Sequence, residues 1–241
     1  MKIISLRNKN EISKKVSLIL FSEIKKNPNL VLGLATGKTM IPIYKEFIKI
    51  VKKSRLELRK IKTFNLDEYH NVNNTNSMRN FMEKFFYNPL KIKKSQIHFL
   101  KNGENLRKTC RDYEISIIKS GGIDLQLLGI GRNGHVAFNE PGSPINSRCR
   151  LVTLANSTRI DAIKEFGSLE KVPIKALTLG IKNILQSKKI ILIAFRKYKA
   201  DAIKKAIDGP ITKKIPASFL RKHKDVTIIL DKEAGSLLKK I

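Results

Sequence analysis

Residues 30–39 read Leu30-Val31-Leu32-Gly33-Leu34-Ala35-Thr36-Gly37-Lys38-Thr39, and they give the clearest indication of the fold. The first five residues form a short apolar run, which is typical of a strand buried in a sheet. Ala35-Thr36-Gly37 then breaks the run. A helix is expected from Met40 through Val51, because apolar residues recur there at helical spacing. A strand that passes through a glycine turn into a helix is the repeating unit of α/β proteins.

The same alternation continues in both directions from this unit. Strands are predicted at residues 3–6, 61–66, 96–99, 123–129, 176–179, 189–195 and 226–230. Helices are predicted at residues 12–24, 77–87, 104–119, 157–166, 199–207 and 216–221, and residues 130–150 form a long loop rich in Gly, Asn and Pro. Strands separated by helices pair in parallel through right-handed crossovers. The expected fold is one α/β domain over residues 1–241, a three-layer α/β/α sandwich with a mostly parallel, Rossmann-like open sheet.

The charge of the chain is strongly positive but evenly spread. Its 241 residues include 49 Lys and Arg against 20 Asp and Glu, a formal net charge of +29. Successive blocks of fifty residues hold 10, 11, 8 and 10 basic residues and the last forty-one hold 10, so no basic tail or domain stands out. Aromatic residues are not interleaved with the basic ones, as a stacking platform for nucleic acid requires. We therefore expect a solvated surface that attracts small anionic substrates, and no nucleic-acid partner.

Membrane and secreted classes do not fit the sequence. No segment approaches the roughly 18 uninterrupted apolar residues of a membrane helix, and the first 20 residues lack the pattern of a signal peptide. The two cysteines, Cys110 and Cys149, are far apart without paired spacing, which excludes a disulfide framework or a zinc ribbon. The sequence thus predicts a cytoplasmic protein without a membrane partner.

Ligands of open α/β sheets bind beyond the carboxyl ends of the strands, so the segments after residues 34, 66 and 129 carry the candidate chemistry. In the first, glycines at a strand-to-helix turn let backbone N–H groups converge on an anion. Only Leu34-Ala35-Thr36 separates Gly33 from Gly37, one residue too few for a nucleotide-triphosphate loop. The turn is predicted to bind a phosphate or a sugar, with an ordinary tight turn as the alternative.

The second segment is Phe64-Asn65-Leu66-Asp67-Glu68-Tyr69-His70. Asp67 follows an apolar strand directly, where a carboxylate leaves the core and enters a cleft. Asp67 and Glu68 point in different directions, and either is alternatively a loop cap. A metal site with His70 is set aside because no third ligand is specified.

The third segment, Gly129 to Gly142, reads Gly-Ile-Gly-Arg-Asn-Gly-His-Val-Ala-Phe-Asn-Glu-Pro-Gly. Four glycines frame His135, and Glu140 follows five residues later. A histidine moves protons near neutral pH, and a nearby carboxylate orients it and stabilises its charged form. His135 is therefore the candidate catalytic histidine, whereas His98 and His223 lack such neighbours and are expected to be structural.

Taken together, these motifs resemble those of glucosamine-6-phosphate deaminases over about residues 2–236. The resemblance also includes Leu177-Thr178-Leu179-Gly180, Asp208-Gly209-Pro210-Ile211-Thr212 and Pro216-Ala217-Ser218. It implies conversion of glucosamine 6-phosphate and water to fructose 6-phosphate and ammonia, in amino-sugar catabolism and with neither a metal nor an organic cofactor. The related 6-phosphogluconolactonases share the fold, but they are expected to carry Ser-x-Phe-Pro in the histidine turn and to lack Asn-Leu-Asp-Glu-Tyr.

The resemblance also implies roles for particular residues. His135 matches the proton acceptor in ring opening, and Asn133 and Glu140 match the residues that assist it. Asp67 matches the base that removes the proton from carbon 2. The phosphate ligands implied are the turn Gly37-Lys38-Thr39 together with two cationic side chains, Arg159 and Lys199. Without the resemblance, Arg159 and Lys199 would be read as ordinary surface residues.

The chain departs from the family pattern at three places. The phosphate turn normally reads Gly-Ser-Thr-Pro, but this chain has Lys38 and Met40 at the second and fourth positions. Met78 replaces a tyrosine after Ser77, and Lys182-Asn183 replaces Gly-Thr. Three alternatives therefore stay open: a lactonase or another sugar-phosphate isomerase, a non-catalytic sugar-phosphate sensor, and a basic nucleic-acid-binding module. The family contains both monomers and hexamers, so a monomer and a homo-oligomer are both compatible with the sequence.

Overall fold

A computed structural model describes residues 1–239 of the chain. Its centre is a parallel sheet of seven strands in the order β1-β10-β9-β6-β2-β3-β5. The strands are β1 Lys2–Leu6, β2 Val31–Leu34, β3 Lys62–Asn65, β5 Ile97–His98, β6 Leu125–Gly129, β9 Lys189–Ala194 and β10 Val226–Asp231. The helices are α1 Lys9–Lys26, α2 Met40–Ser54, α3 Met78–Met82, α4 Leu106–Lys119, α5 Asn156–Phe166, α6 Ile181–Leu185 and α7 Ala200–Ile207. The mostly parallel, Rossmann-like α/β architecture predicted from the sequence is confirmed.

Three short strands form a second, antiparallel sheet, which the sequence did not predict. They are β4 Asp67–Tyr69, β7 Arg150–Thr153 and β8 Lys175–Thr178, in the order β4-β8-β7. The predicted strand at residues 176–179 therefore exists, but its parallel pairing was wrong. Its partners are a turn-like motif after Leu66 and the end of the predicted loop 130–150. Neither strand is long enough to show an alternating pattern. Both form through their tertiary pairing rather than through their own β-propensity.

Two helical predictions also need correction. The helix predicted at residues 77–87 is α for only Met78–Met82, and it continues as a π-helical turn over Glu83–Tyr87. Residues Pro216–Lys222 form a 3₁₀ helix rather than an α-helix. No helix in the described residues is long and apolar enough to cross a lipid bilayer.

The core lies between the parallel sheet and its helices. The strands contribute fully buried residues such as Leu32, Leu127 and Ile229, which belong to one buried cluster with Ile12 and Leu20 of helix α1. Strands β6 and β2 are neighbours, but the chain winds away from them in opposite directions, first through β3 and β5 and later through β9 and β10. Such a change of direction opens a crevice at the carboxyl ends of the strands. The predicted functional segments follow β2, β3 and β6, which all end at this crevice.

Candidate functional site

The segment after β6 forms a tightly folded turn around His135. The backbone N–H of Gly131 donates to the carbonyl of His135 at 2.9 Å, and that of Gly134 donates to the carbonyl of Gly131 at 3.1 Å. Gly134 has a φ of +84°, in the left-handed region that favours glycine. A Cβ atom on Gly131 would lie only 2.2 Å from the His135 ring, so the imidazole packs against bare backbone. The glycines thus serve to hold the ring in one place.

Glu140 is the carboxylate partner of this histidine, as predicted. Its Oε2 atom lies 3.4 Å from Nδ1 of His135 and accepts a hydrogen bond from Nδ2 of Asn133 at 2.7 Å. Its Oε1 accepts from the backbone N–H of Ala155 at 3.2 Å. Burial raises the pKa of Glu140, but hydrogen bonds from His135, Thr158 and Asn133 outweigh it and hold the pKa below its ordinary value. Glu140 is therefore ionised at neutral pH, beside Nδ1 of the imidazole.

Asn133 and Thr158 complete the surroundings of the ring. The backbone N–H of His135 donates to Oδ1 of Asn133 at 3.2 Å, so one amide side chain contacts both the histidine backbone and Glu140. The hydroxyl of Thr158 lies 3.3 Å from Nδ1 of His135. Since Glu140 and Thr158 both face Nδ1, Nε2 is the ring nitrogen left for a substrate. Thr158 could not be recognised in the sequence, because a threonine at the start of a helix gives no signal beyond capping.

Asp67 begins strand β4, immediately beyond the end of β3. In the antiparallel register it faces Thr178, whose hydroxyl accepts a hydrogen bond from the backbone N–H of Phe138 at 3.1 Å. Thr178 therefore links the strand of Asp67 to the turn that carries His135. Burial, and secondarily the charge of Glu68, raise the pKa of Asp67 to about 8. A carboxylate with a pKa near the working pH is suited to accept a proton from carbon.

The turn Gly37-Lys38-Thr39, the predicted phosphate turn, lies directly before α2, and its binding of phosphate stays a prediction. Gly37 has a φ of +97°, and the N–H of Met40 donates to its carbonyl at 2.9 Å. The ammonium of Lys38 forms an ion pair with Glu165 of α5 at 2.8 Å. This pair joins the turn to α5 and neutralises the lysine charge that was predicted to bind phosphate.

Lys199 lies at the end of the 3₁₀ turn after β9, next to an ion pair between Arg132 and Asp161. The Nε atom of Arg132 donates to Oδ2 of Asp161 at 3.0 Å. Burial lowers the pKa of Lys199 to about 8, Asp161 acts in the opposite direction, and Arg132 lowers it further. An incoming anion stabilises a cation that is partly removed from water more than it stabilises an exposed cation.

Arg159 and His70 have partners that the sequence did not indicate. One terminal nitrogen of Arg159, Nη2, donates to the carbonyls of Leu169 at 2.8 Å and Val172 at 3.1 Å. The side chain thereby secures the segment that follows α5, and its predicted contact with phosphate stays a prediction. Nδ1 of His70 lies 3.0 Å from the side-chain oxygen of Asn102.

The fold and this arrangement are those of an α/β enzyme domain with a histidine and two carboxylates at its crevice. A family model described as glucosamine-6-phosphate isomerases/6-phosphogluconolactonase matches residues 9–229. The chain belongs to this family.

Similar proteins include a glucosamine-6-phosphate deaminase of Thermoanaerobacter sp. (strain X514), 48% identical over 99% of this chain and 95% of that protein. One from Clostridium botulinum (strain Langeland) is 47% identical over 99% of both chains. A solved structure of a monomeric glucosamine-6-phosphate deaminase matches 98% of this chain and 100% of that one, with 41% identity and a TM-score of 0.96. A 6-phosphogluconolactonase from Trypanosoma cruzi matches 99% of this chain and 97% of its own at only 22% identity, with a TM-score of 0.77, and shares the fold.

Proposed function

We propose that this chain converts glucosamine 6-phosphate and water to fructose 6-phosphate and ammonia. The observation that carries the proposal is the pairing of the His135–Glu140 turn with a separate, buried Asp67 of raised pKa. The reaction needs two proton transfers of different kinds, one between oxygens and one at carbon. Two distinct acid–base groups supply them. The high identity to proteins of that name supports the same assignment.

Ring opening is the step assigned to His135. Its Nε2 atom takes the proton of the anomeric hydroxyl and gives a proton to the ring oxygen, which breaks the bond between carbon 1 and that oxygen. Ionised Glu140 stabilises the imidazolium while the proton is held, and Asn133 fixes the orientation of both groups.

The carbon chemistry is assigned to Asp67. Its carboxylate removes the proton from carbon 2 of the open-chain sugar while the carbon 1 oxygen takes up a proton, which leaves an enolamine. The same group then returns a proton to carbon 1, and the amino nitrogen gives up one proton as the double bond to carbon 2 forms. The resulting imine at carbon 2 adds water and loses ammonia, which gives the ketone of fructose 6-phosphate. A carboxylate held beside carbon 2 acts through position as well as basicity.

The phosphate is assigned to the turn Gly37-Lys38-Thr39 and to the two cations Lys199 and Arg159. The turn offers backbone N–H groups at the start of the 15-residue helix α2, whose dipole favours an anion. Lys199 adds a partly buried positive charge. Lys38 adds a second one when it leaves Glu165. We also propose a cytoplasmic location, since a phosphorylated sugar does not cross a membrane freely, and a monomeric state, on the likeness to a monomeric deaminase.

The test is product release by the purified protein. With glucosamine 6-phosphate, fructose 6-phosphate and ammonia should appear in equal amounts. Hydrolysis of 6-phosphogluconolactone in a parallel assay, without ammonia release from the amino sugar, would establish the lactonase instead. Binding without turnover of either compound would establish a sensor.

A further inference from the structure

Glu68, the neighbour of Asp67, has an unusually complete set of backbone partners for a buried carboxylate. Its Oε1 atom accepts the N–H of Tyr69 at 2.9 Å and the N–H of Met78 at 2.8 Å, and its Oε2 accepts the N–H of Arg79 at 3.0 Å. The residue is only 4% exposed. The Arg79 guanidinium pairs with Glu83 at 2.9 Å, so Glu68 is held by backbone rather than by an ion pair.

These bonds connect two parts of the proposed site. Tyr69 belongs to β4, the strand that Asp67 begins, whereas Met78 and Arg79 begin α3, and residues 70–77 loop out between them. Met78 also contacts the residue directly before the phosphate turn, because the hydroxyl of Thr36 lies 3.0 Å from its sulfur atom. A chain of contacts therefore runs from Asp67 through Glu68 and Met78 to Thr36, the residue that precedes Gly37 of the turn.

We propose that Glu68 is a positioning residue for the reaction: its three backbone hydrogen bonds fix the strand of Asp67 against the start of α3 and, through Met78, against the phosphate turn. The inference rests on the proposed function. Glu68 sets the distance between Asp67 and the phosphate turn, and this distance determines how carbon 2 of the substrate is aligned with Asp67. Misplacing a reacting group by about 1 Å costs about 100-fold in rate.

Glu68 also acts on Asp67 through its charge. It is the group that, after burial itself, raises the pKa of Asp67. The other titratable groups coupled to Asp67 are the phenols of Tyr69 on β4 and Tyr113 on α4, whose pKa values are both raised by burial first. Both phenols are uncharged at neutral pH, and Thr178, opposite on β8, does not titrate. Removal of the charge of Glu68 should thus lower the pKa of Asp67.

The variant Glu68→Gln separates the two roles. Its amide oxygen can keep the bonds to Tyr69 and Met78, while its NH₂ group would face the N–H of Arg79 and lose that bond. We expect kcat to fall by about tenfold, the size of one lost hydrogen bond to a charged group. The acid limb of the kcat–pH profile should move to lower pH, because Asp67 then ionises more easily.

The variant Glu68→Ala removes all three bonds. Its kcat should fall by about 100-fold or more, as for a misplaced base, and the KM should rise because the phosphate turn loses its tether. The matched control is Glu83→Gln, which removes the same charge from a part-buried ion pair of the same helical segment. It should leave kcat, KM and the pH profile unchanged.

Amide hydrogen exchange keeps the inference testable apart from turnover. Exchange at Met78 and Arg79 should accelerate in Glu68→Ala and, at Arg79, in Glu68→Gln, but not in Glu83→Gln. Wild-type exchange rates and a wild-type kcat in the Glu68 variants would overturn the inference. A wild-type protein that releases no ammonia would instead refute the proposed function, and the exchange rates would still decide whether Glu68 fixes these segments.

Discussion

The substitution Gly131→Ala tests whether the position of His135 governs the reaction. The new Cβ atom would lie 2.2 Å from Cε1, 2.3 Å from Nδ1 and 2.6 Å from Nε2 of the His135 ring. Ordinary carbon contacts begin near about 3.5 Å, so the ring has to move by roughly 1.3 Å or more. The backbone cannot give way easily, because Gly131 is hydrogen-bonded to His135 and to Gly134.

The cost should be catalytic rather than structural. The φ of Gly131 is not in the left-handed region, so alanine is compatible with the backbone there. The side chain of His135 is 17% exposed and can rotate outward, which sacrifices its contact with Glu140 at about 1–3 kcal/mol. Loss of a positioned acid–base group costs about 10²–10⁴ in rate. We expect kcat/KM to fall by at least about 100-fold while the protein stays folded.

The assay is fructose 6-phosphate formation from glucosamine 6-phosphate, with thermal unfolding followed by circular dichroism. Gly129→Ala is the matched control, since its Cβ would meet nothing closer than Met40 at 4.0 Å. A Gly131→Ala variant with wild-type kcat/KM would refute the role given to the His135 geometry. Equal losses in both variants would show that the effect is not specific to the ring.

Three further substitutions test the remaining groups. Asp67→Asn should abolish turnover. Its stability relative to wild type should also increase with pH, by about 1.4 kcal/mol per pH unit between the unfolded pKa of 3.8 and the folded pKa of about 8. Urea unfolding at pH 5 and pH 9 measures this difference in stability, with Asp201→Asn as the control. A difference that is the same at both pH values would contradict the prediction. Lys199→Ala should raise the KM and remove its increase above pH 8, where the wild-type ammonium loses its proton; an unchanged KM would return Lys199 to the ordinary surface. Glu165→Gln should release Lys38 and lower the KM by about two- to fivefold, which is the effect of one exposed ion pair. This difference in KM should shrink in high salt. A rise in KM would show instead that the ion pair helps substrate binding.

The proposed pH dependence has two opposing limbs. Asp67 must lose its proton to act as a base, and its pKa is about 8 because the group is buried. Lys199 must keep its proton to hold phosphate, and burial lowers its pKa to about 8 as well. Burial therefore shifts the pKa values of both groups, and kcat/KM plotted against pH should be bell-shaped.

Most of the parallel sheet could be predicted from the sequence because its strands are buried on both faces. The run at residues 125–128 contains three leucines and one polar residue, Gln126, and the glycines that follow mark the strand's end. The antiparallel sheet could not be predicted in this way. Asp67-Glu68-Tyr69 contains two acids, and β7 has no buried residue, so neither shows a pattern of its own. Both are strands because β8 lies between them.

The candidate site likewise has features that the sequence predicts and features that arise only on folding. The candidates for the proposed chemistry could be recognised in the sequence, since Asp67, His135 and Glu140 stand in short motifs at the ends of predicted strands. Folding sets how those groups behave, because Thr158 reaches His135 from helix α5, Glu165 pairs with Lys38, and burial raises the pKa of Asp67. The physical reason is that motifs are local in the chain, whereas contacts between segments, and the removal of water from them, arise only when the chain folds.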